Sequence, residues 1–329
     1  MSKVNIEAKI VADSINKQGN RLTSMLLTMP RILLSEFNTH RSFSRNSASS
    51  RAIPFKKMCE SIENNPFVPV RWQKNHSGMQ GTEYFEEENG SWNTPSNFEG
   101  IWLSARDWMI SKGKSLHQED GRGVTKQIVN RLLEPFMYHK VLVTSTDFEN
   151  FFALRAEGQA EIHIQELAYK MLDVYNQNEP TKLDEGQWHL PYGDQIDEGK
   201  LEKLFYALYG KNMTDDSLLR EAKVKIAVAR CARTSYTTIE SELKHDYEKD
   251  IKLCDGLKNN GHASPCEHTA KAMTDYEYEN FTHTYLNEDG EKITEYGWCG
   301  NFQGFIQYRK MLKDENKKDA RVKKHLVAS

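Results

Sequence analysis

The sequence predicts a mixed α/β (α+β) chain, with strands over residues 3–55 and mostly helices from residue 101 onward. Three observations carry that expectation. Residues 22–37 are an extended apolar run, beginning Leu22-Thr23-Ser24-Met25-Leu26-Leu27-Thr28-Met29-Pro30, with the character of a buried element. A second, shorter strand signature is Val141-Leu142-Val143-Thr144. From Gln159 the pattern changes, and Ile164, Leu167, Ala168, Met171 and Tyr175 recur at the three- and four-residue spacings of a helix face.

Taken in order, residues 5–13 are the first strand candidate, and the 22–37 run feeds a polar loop at 39–51. Residues 66–100, rich in Asn, Gly, Glu and Trp, read as an irregular insertion, and the piece from Trp72 to Gly81 is either a lid or a structured surface loop. Helical patterns follow at 101–116 and at 125–137, the second ending near Pro135. Thr146-Asp147-Phe148-Glu149 has the form of a capping box, which opens a helix running towards Arg155. Beyond the helix from Gln159, a polar connection around Gln187-Trp188-His189-Leu190-Pro191-Tyr192 leads to helices at 201–209 and 218–232. Leu243, Tyr247, Ile251, Cys254 and Leu257 mark one face of another, with Asn259-Asn260-Gly261 as its stop signal. The chain thus divides into a half at 1–175 with an insertion at about 60–120, a half at 176–312, and a lysine-rich, frayed tail at 313–329.

Bulk properties narrow the function. A chain of 329 residues buries about three quarters of its unfolded surface, enough for one large domain or two. A net charge of −3 and a pI near 6.4 argue against a protein that coats a nucleic acid polymer. There is no bilayer-length apolar run and no signal-peptide pattern, so a cytoplasmic location without membrane partners is expected. Five scattered cysteines fit reduced thiols rather than a disulfide framework or zinc cage. No Walker loop, Rossmann fingerprint or His-Glu-x-x-His metal motif is present.

The loop Thr39-His40-Arg41-Ser42-Phe43-Ser44-Arg45-Asn46-Ser47-Ala48-Ser49-Ser50-Arg51 concentrates three guanidinium groups, an imidazole and six hydroxyls. Such a set suits a phosphate, since each charge-assisted bond contributes roughly 1.5–3 kcal/mol. A basic, Ser-rich stretch is otherwise a solvated surface loop. Arg131, four residues before Pro135, is a lone cation among apolar neighbours, where an arginine commonly serves as a surface or C-cap partner. In Asn150-Phe151-Phe152-Ala153-Leu154-Arg155 the phenylalanines suit a core and Arg155 either leaves into water or serves a site. Two further blocks lie late in the chain, Ala229-Arg230-Cys231-Ala232-Arg233-Thr234-Ser235-Tyr236 and His262-Ala263-Ser264-Pro265-Cys266-Glu267-His268. Asn301 to Lys310 adds Gln307 beside Arg309, in what otherwise reads as an amphipathic helix bound to a neighbour.

Together these motifs resemble the flavin-dependent thymidylate synthases. The signature there begins Arg-His-Arg; Thr39 replaces the first arginine, Cys266 replaces a phenylalanine, and the two late blocks stand after rather than before the basic loop, a permuted order. The resemblance implies a mostly antiparallel sheet with flanking helices, and a homotetramer with shared active sites. It implies FAD as cofactor, with NADPH and methylenetetrahydrofolate as co-substrates, and conversion of dUMP to dTMP. Residues 47, 49, 50, 51 and 131 (Ser47, Ser49, Ser50, Arg51, Arg131) would then hold dUMP, and Arg155 would contact the pyrimidine and favour its ionisation. His40, Arg41, Asn46, Asn150, Ser264 and Glu267 would contact FAD, and His262 is a second catalytic candidate. Glu36 and Thr39 stand where the family places a Gln and an Arg on the phosphate, and Gln307 and Arg309 would take over that role. Thr144 and Thr146 stand where flavin-contacting Asn and Arg are usual. Two alternatives stay open: a related hydroxymethylase or methylase acting on dUMP or dCMP, and a catalytically silent nucleotide-binding protein.

Overall fold

The computed structural model describes residues 5–78, 81–118, 122–209, 216–235, 246–313, 315–316 and 321. Its main sheet contains β1 (Glu7–Ile15), β2 (Arg21–Pro30), β3 (Ser44–Ser47), β4 (Tyr138–Ser145) and β5 (Thr181–Lys182), in the order β3-β4-β2-β1-β5. All neighbours are antiparallel except the short parallel pairing of β5 with β1. A bulge in β1 between Ile10 and Ala12 leaves the Val11 carbonyl to accept from Tyr192 N at 2.9 Å, which ties the C-terminal half to the sheet.

Strand alternation gives the sheet two different faces. Met25, Leu27 and Met29 of β2 and Val141 and Val143 of β4 join Ile164, Leu167, Ala168 and Met171 of the helix Ile162–Gln177 in the principal apolar core. The opposite face carries Leu22, Ser24 and Leu26 of β2, Leu142 and Thr144 of β4, and Ser44 and Asn46 of β3. It is covered by a second small sheet, ordered Phe305–Gln307, Ala270–Ala272, Trp188–His189, and by the C-terminal end of the helix Asp216–Arg233.

Several elements differ from the sequence expectation, each for a local reason. The 22–37 run is strand only as far as Pro30, which has no N–H to continue a ladder; Arg31–Leu33 is a 3-10 turn and Leu34–Phe37 is helical. The expected helix at 125–137 is a single α-turn, Lys126–Val129, followed by a 3-10 segment, Asn130–Phe136, with Pro135 inside it. The expected capping box at Thr146 is absent: the Thr146 hydroxyl accepts from Gln303 N at 3.0 Å, and Asp147 supplies the acceptor for Glu149 N at 3.2 Å. A true capping box forms at Thr274 and Glu277.

The insertion is better anchored than its composition suggests. Within it Gln73 bridges Tyr84, and a helix begins at Pro95 rather than 101, with the Thr94 hydroxyl accepting from Asn97 N. An additional helix, Phe55–Asn64, buries Phe55, Met58, Cys59 and Ile62 against Ile110, Val129, Leu133 and Phe136. The last long helix, Tyr247–Asn259, stops where expected, with Gly261 at φ +72°. Leu243, Tyr236, residues 79–80 of the lid candidate and most of the tail lie outside the described residues. Among the described residues no helix is long and apolar enough to cross a membrane.

Candidate active site

The basic loop divides around β3, the edge strand of the sheet. On its N-terminal side, His40 is buried between Phe43 and Phe151, meeting Phe151 edge-on at 4.9 Å. Its Nε2 lies 3.1 Å from Arg155 Nε. Arginine only donates, so Nε2 accepts and the ring is the neutral Nδ1–H tautomer. Burial, and then the charges of Arg155 and Arg45, hold the imidazole below its ordinary pKa, in agreement with that assignment. Arg155 also pairs with Glu36, Nη1 to Oε1 at 2.7 Å. Arg45 donates to the carbonyls of His40 at 2.9 Å and Phe37 at 3.3 Å, which locks the turn preceding β3. Arg41 is exposed.

On the C-terminal side, Ser49–Arg51 meets the 3-10 segment that carries Arg131. Asn130 Nδ2 donates to the carbonyls of Ser50 at 2.7 Å and Ile53 at 2.9 Å, so Arg51 and Arg131 stand on adjoining turns. Both are exposed and have no acidic partner among the described residues. Ser50 differs from the expected phosphate contact. Its side chain is buried and its hydroxyl donates to Glu134 Oε1 at 2.5 Å, while Glu134 in turn faces Arg31 at 3.6 Å. Ser47 and Ser49 remain partly exposed.

The two late sequence blocks meet this loop within one protomer. Asn46 Nδ2 donates to the Cys231 carbonyl at 3.4 Å, and Ser49 N donates to the Ser235 carbonyl at 3.0 Å. The turn Ser264–Glu267 packs on β3, and the Glu267 carboxylate acts on Arg45. Ser264 in that turn and His262 just before it are exposed, and Asn150 is exposed on the helix Glu149–Arg155. Gln307 and Arg309 are placed otherwise than a phosphate contact requires. The buried Gln307 amide donates to Asn301 Oδ1 at 2.6 Å and Ser44 Oγ at 3.2 Å, and Arg309 pairs with Glu267.

Behind β3 runs a hydrogen-bonded chain with no spacing signal in the sequence. Ser14 Oγ lies 2.9 Å from His189 Nδ1, His189 Nε2 lies 2.9 Å from Ser24 Oγ, Ser24 Oγ lies 2.6 Å from Thr144 Oγ1, and Thr144 Oγ1 lies 2.8 Å from His268 Nδ1. Burial lowers both imidazoles to about 3, so they are neutral hydrogen-bonding groups at working pH. Thr144 therefore holds the end of the Ser264–His268 block against the sheet. The five cysteines are free and buried, and burial pushes Cys254 up to about 11 and Cys266 up to about 12. These are packing thiols, not nucleophiles. Glu36, Arg45, His189 and Thr144 are the polar residues whose parts here sequence reasoning missed.

Among the described residues no cluster of three or more His, Cys, Asp or Glu is arranged to hold a metal. For a flavin, the fit rests on exposed side-chain groups without partners among the described residues: the Arg41 guanidinium, the Asn150 amide and the Ser264 hydroxyl. A cation, an amide and a hydroxyl are suitable donors for a diphosphate and a ring carbonyl.

No family model matches the chain, and no curated protein matches it. Among solved structures it is similar to the UMP/dUMP methylase PolB from Streptomyces cacaoi bound with 5-Br UMP, at 12% identity and a TM-score of 0.36, over 53% of this chain and 90% of that one. A superposition that loose supports no statement about this chain's reaction.

Proposed function

We propose that the chain is a flavin-dependent enzyme that transfers a one-carbon unit to C5 of a pyrimidine deoxynucleotide, dUMP giving dTMP, with methylenetetrahydrofolate and NADPH as co-substrates. The observation that carries this reading is the meeting of the basic loop with both late blocks, through Asn46–Cys231, Ser49–Ser235 and the packing of Ser264–Glu267 on β3. In it, Arg51, Arg131 and Ser49 bind the phosphate, being donors with no acidic partner among the described residues. Arg155, held by Glu36 and His40, meets the base, where its fixed positive charge stabilises negative charge that develops on the ring as C5 reacts. Arg41, Asn150 and Ser264 would hold FAD, which supplies the reducing equivalents when bound. Sharing of the site between copies of a homotetramer belongs to the same proposal.

A second reading, in which dCMP replaces dUMP or the product is hydroxymethylated, is favoured by the carboxylate of Glu36 beside Arg155. The test is the visible absorbance spectrum of the purified protein with and without added FAD, followed by tritium release from C5-labelled dUMP and dCMP with folate and NADPH. Flavin absorbance with tritium release supports the enzyme. Protein that takes up no FAD and releases no tritium from either nucleotide refutes it.

A further inference from the structure

Arg155 and Glu36 do not saturate one another. Their contact uses Arg155 Nη1 and Glu36 Oε1, and Arg155 Nε is spent on His40 Nε2. Arg155 Nη2 and Glu36 Oε2 make no hydrogen bond among the described residues, and the two side chains keep 24% and 31% of their surface exposed. The guanidinium and the carboxylate are each planar and each half engaged, so together they present an open donor close to an open acceptor. His40 fixes the arginine, and the two backbone carbonyls bonded by Arg45 fix the turn that carries His40.

We propose that Glu36 is a base-reading residue, whose Oε2 accepts from the N–H on the hydrogen-bonding edge of a pyrimidine while Arg155 Nη2 donates to the neighbouring ring acceptor. This rests on the reading of the site as a pyrimidine-nucleotide site. Uracil presents N3–H between two carbonyls, and cytosine presents its exocyclic N4–H beside N3, so both carry the required pattern. A uracil methylated at N3 does not. It leaves a half-buried carboxylate facing an alkyl group, and an unsatisfied acceptor costs more than the bond contributes. Burial already raises the Glu36 carboxyl above its ordinary range, with the Glu161 carboxylate adding to the rise and Arg155 opposing it. A donor arriving at Oε2 relieves that strain on the charged form.

Equilibrium binding of dUMP, dCMP and N3-methyl-dUMP in the presence of FAD, to the wild type, Glu36→Gln and Glu36→Ala, tests the assignment. N3-methyl-dUMP should bind the wild type about ten- to hundredfold more weakly than dUMP. The Gln variant, which keeps the shape without the charge, should narrow that gap, and the Ala variant should close it. If Glu36→Ala does not fold, the Gln comparison carries the test alone. The tighter binder of dUMP and dCMP identifies which N–H is read. Wild-type protein that binds dUMP and N3-methyl-dUMP equally overturns the role of Glu36 and leaves the nucleotide site standing. Wild-type protein that binds none of the three overturns the reading of the site as well.

Discussion

Replacing Thr144 by Val tests whether the hydrogen-bonded chain behind β3 holds the two halves together. Valine has nearly the same shape, so no cavity forms, and the hydroxyl is replaced by a methyl group that must stand farther from its two neighbours than a hydrogen-bonding oxygen does. That hydroxyl has two partners, Ser24 Oγ at 2.6 Å and His268 Nδ1 at 2.8 Å. Ser24 keeps His189, but His268 loses its one ring partner, because its buried Nε2 has none among the described residues. A buried polar group left unsatisfied costs about 1–3 kcal/mol, and the broken Ser24 bond adds about 0.5–1.5 kcal/mol, giving roughly 1.5–4.5 kcal/mol in all. Urea unfolding monitored by fluorescence should show a lowered midpoint with an unchanged slope. A variant within about 0.5 kcal/mol of the wild type would refute the reasoning, since the chain would then be an incidental alignment of side chains.

Two further outcomes are expected. His139, His189 and His268 are each lowered to about 3 by burial, so the unfolded chain binds their protons below pH 6.5 and the folded chain does not until near pH 3. Stability is therefore complete well above pH 6.5 and falls as the pH drops through 6.5 towards 3, by about 2 kcal/mol per histidine between pH 7 and pH 5, readable as a drop in urea midpoint across a pH series. Arg51→Ala and Arg131→Ala remove exposed cations without acidic partners among the described residues, so folding stability should change by less than about 0.5 kcal/mol, while dUMP affinity measured by calorimetry falls about tenfold or more.

The three longest strands of the sheet and most helices were legible because their signals are local: an apolar run, a period of three and four residues, a glycine stop. Elements below that length were not. The strands Trp188–His189, Ala270–Ala272 and Phe305–Gln307 are too short to show alternation, and the hairpin Thr282–Leu286 with Lys292–Tyr296 hid because its first strand is exposed throughout. The helix Phe55–Asn64 carries a clear apolar face, but it follows directly on the polar loop, which drew its sequence into the reading of a site and an insertion. In the candidate site the loop itself was readable from its residue types. Its partners were not, since Glu36–Arg155 and Thr144–His268 join residues more than a hundred positions apart and leave no spacing to detect. Ser50, Gln307 and Arg309 were read by type as ligand contacts, whereas their nearest partners, Glu134, Asn301 and Glu267, are supplied by the fold.

The unlike faces of the main sheet also guard its alignment. Sliding β2 by a single residue against β4 would turn Met25 and Leu27 towards His189 and His268, and press Ser24 into the oily layer under the helix Ile162–Gln177. Both errors raise the energy at once, so a misaligned intermediate finds no comfortable resting place. The hydroxyl seam thus acts as a keyed fitting, admitting one assembly of distant segments and rejecting its near copies.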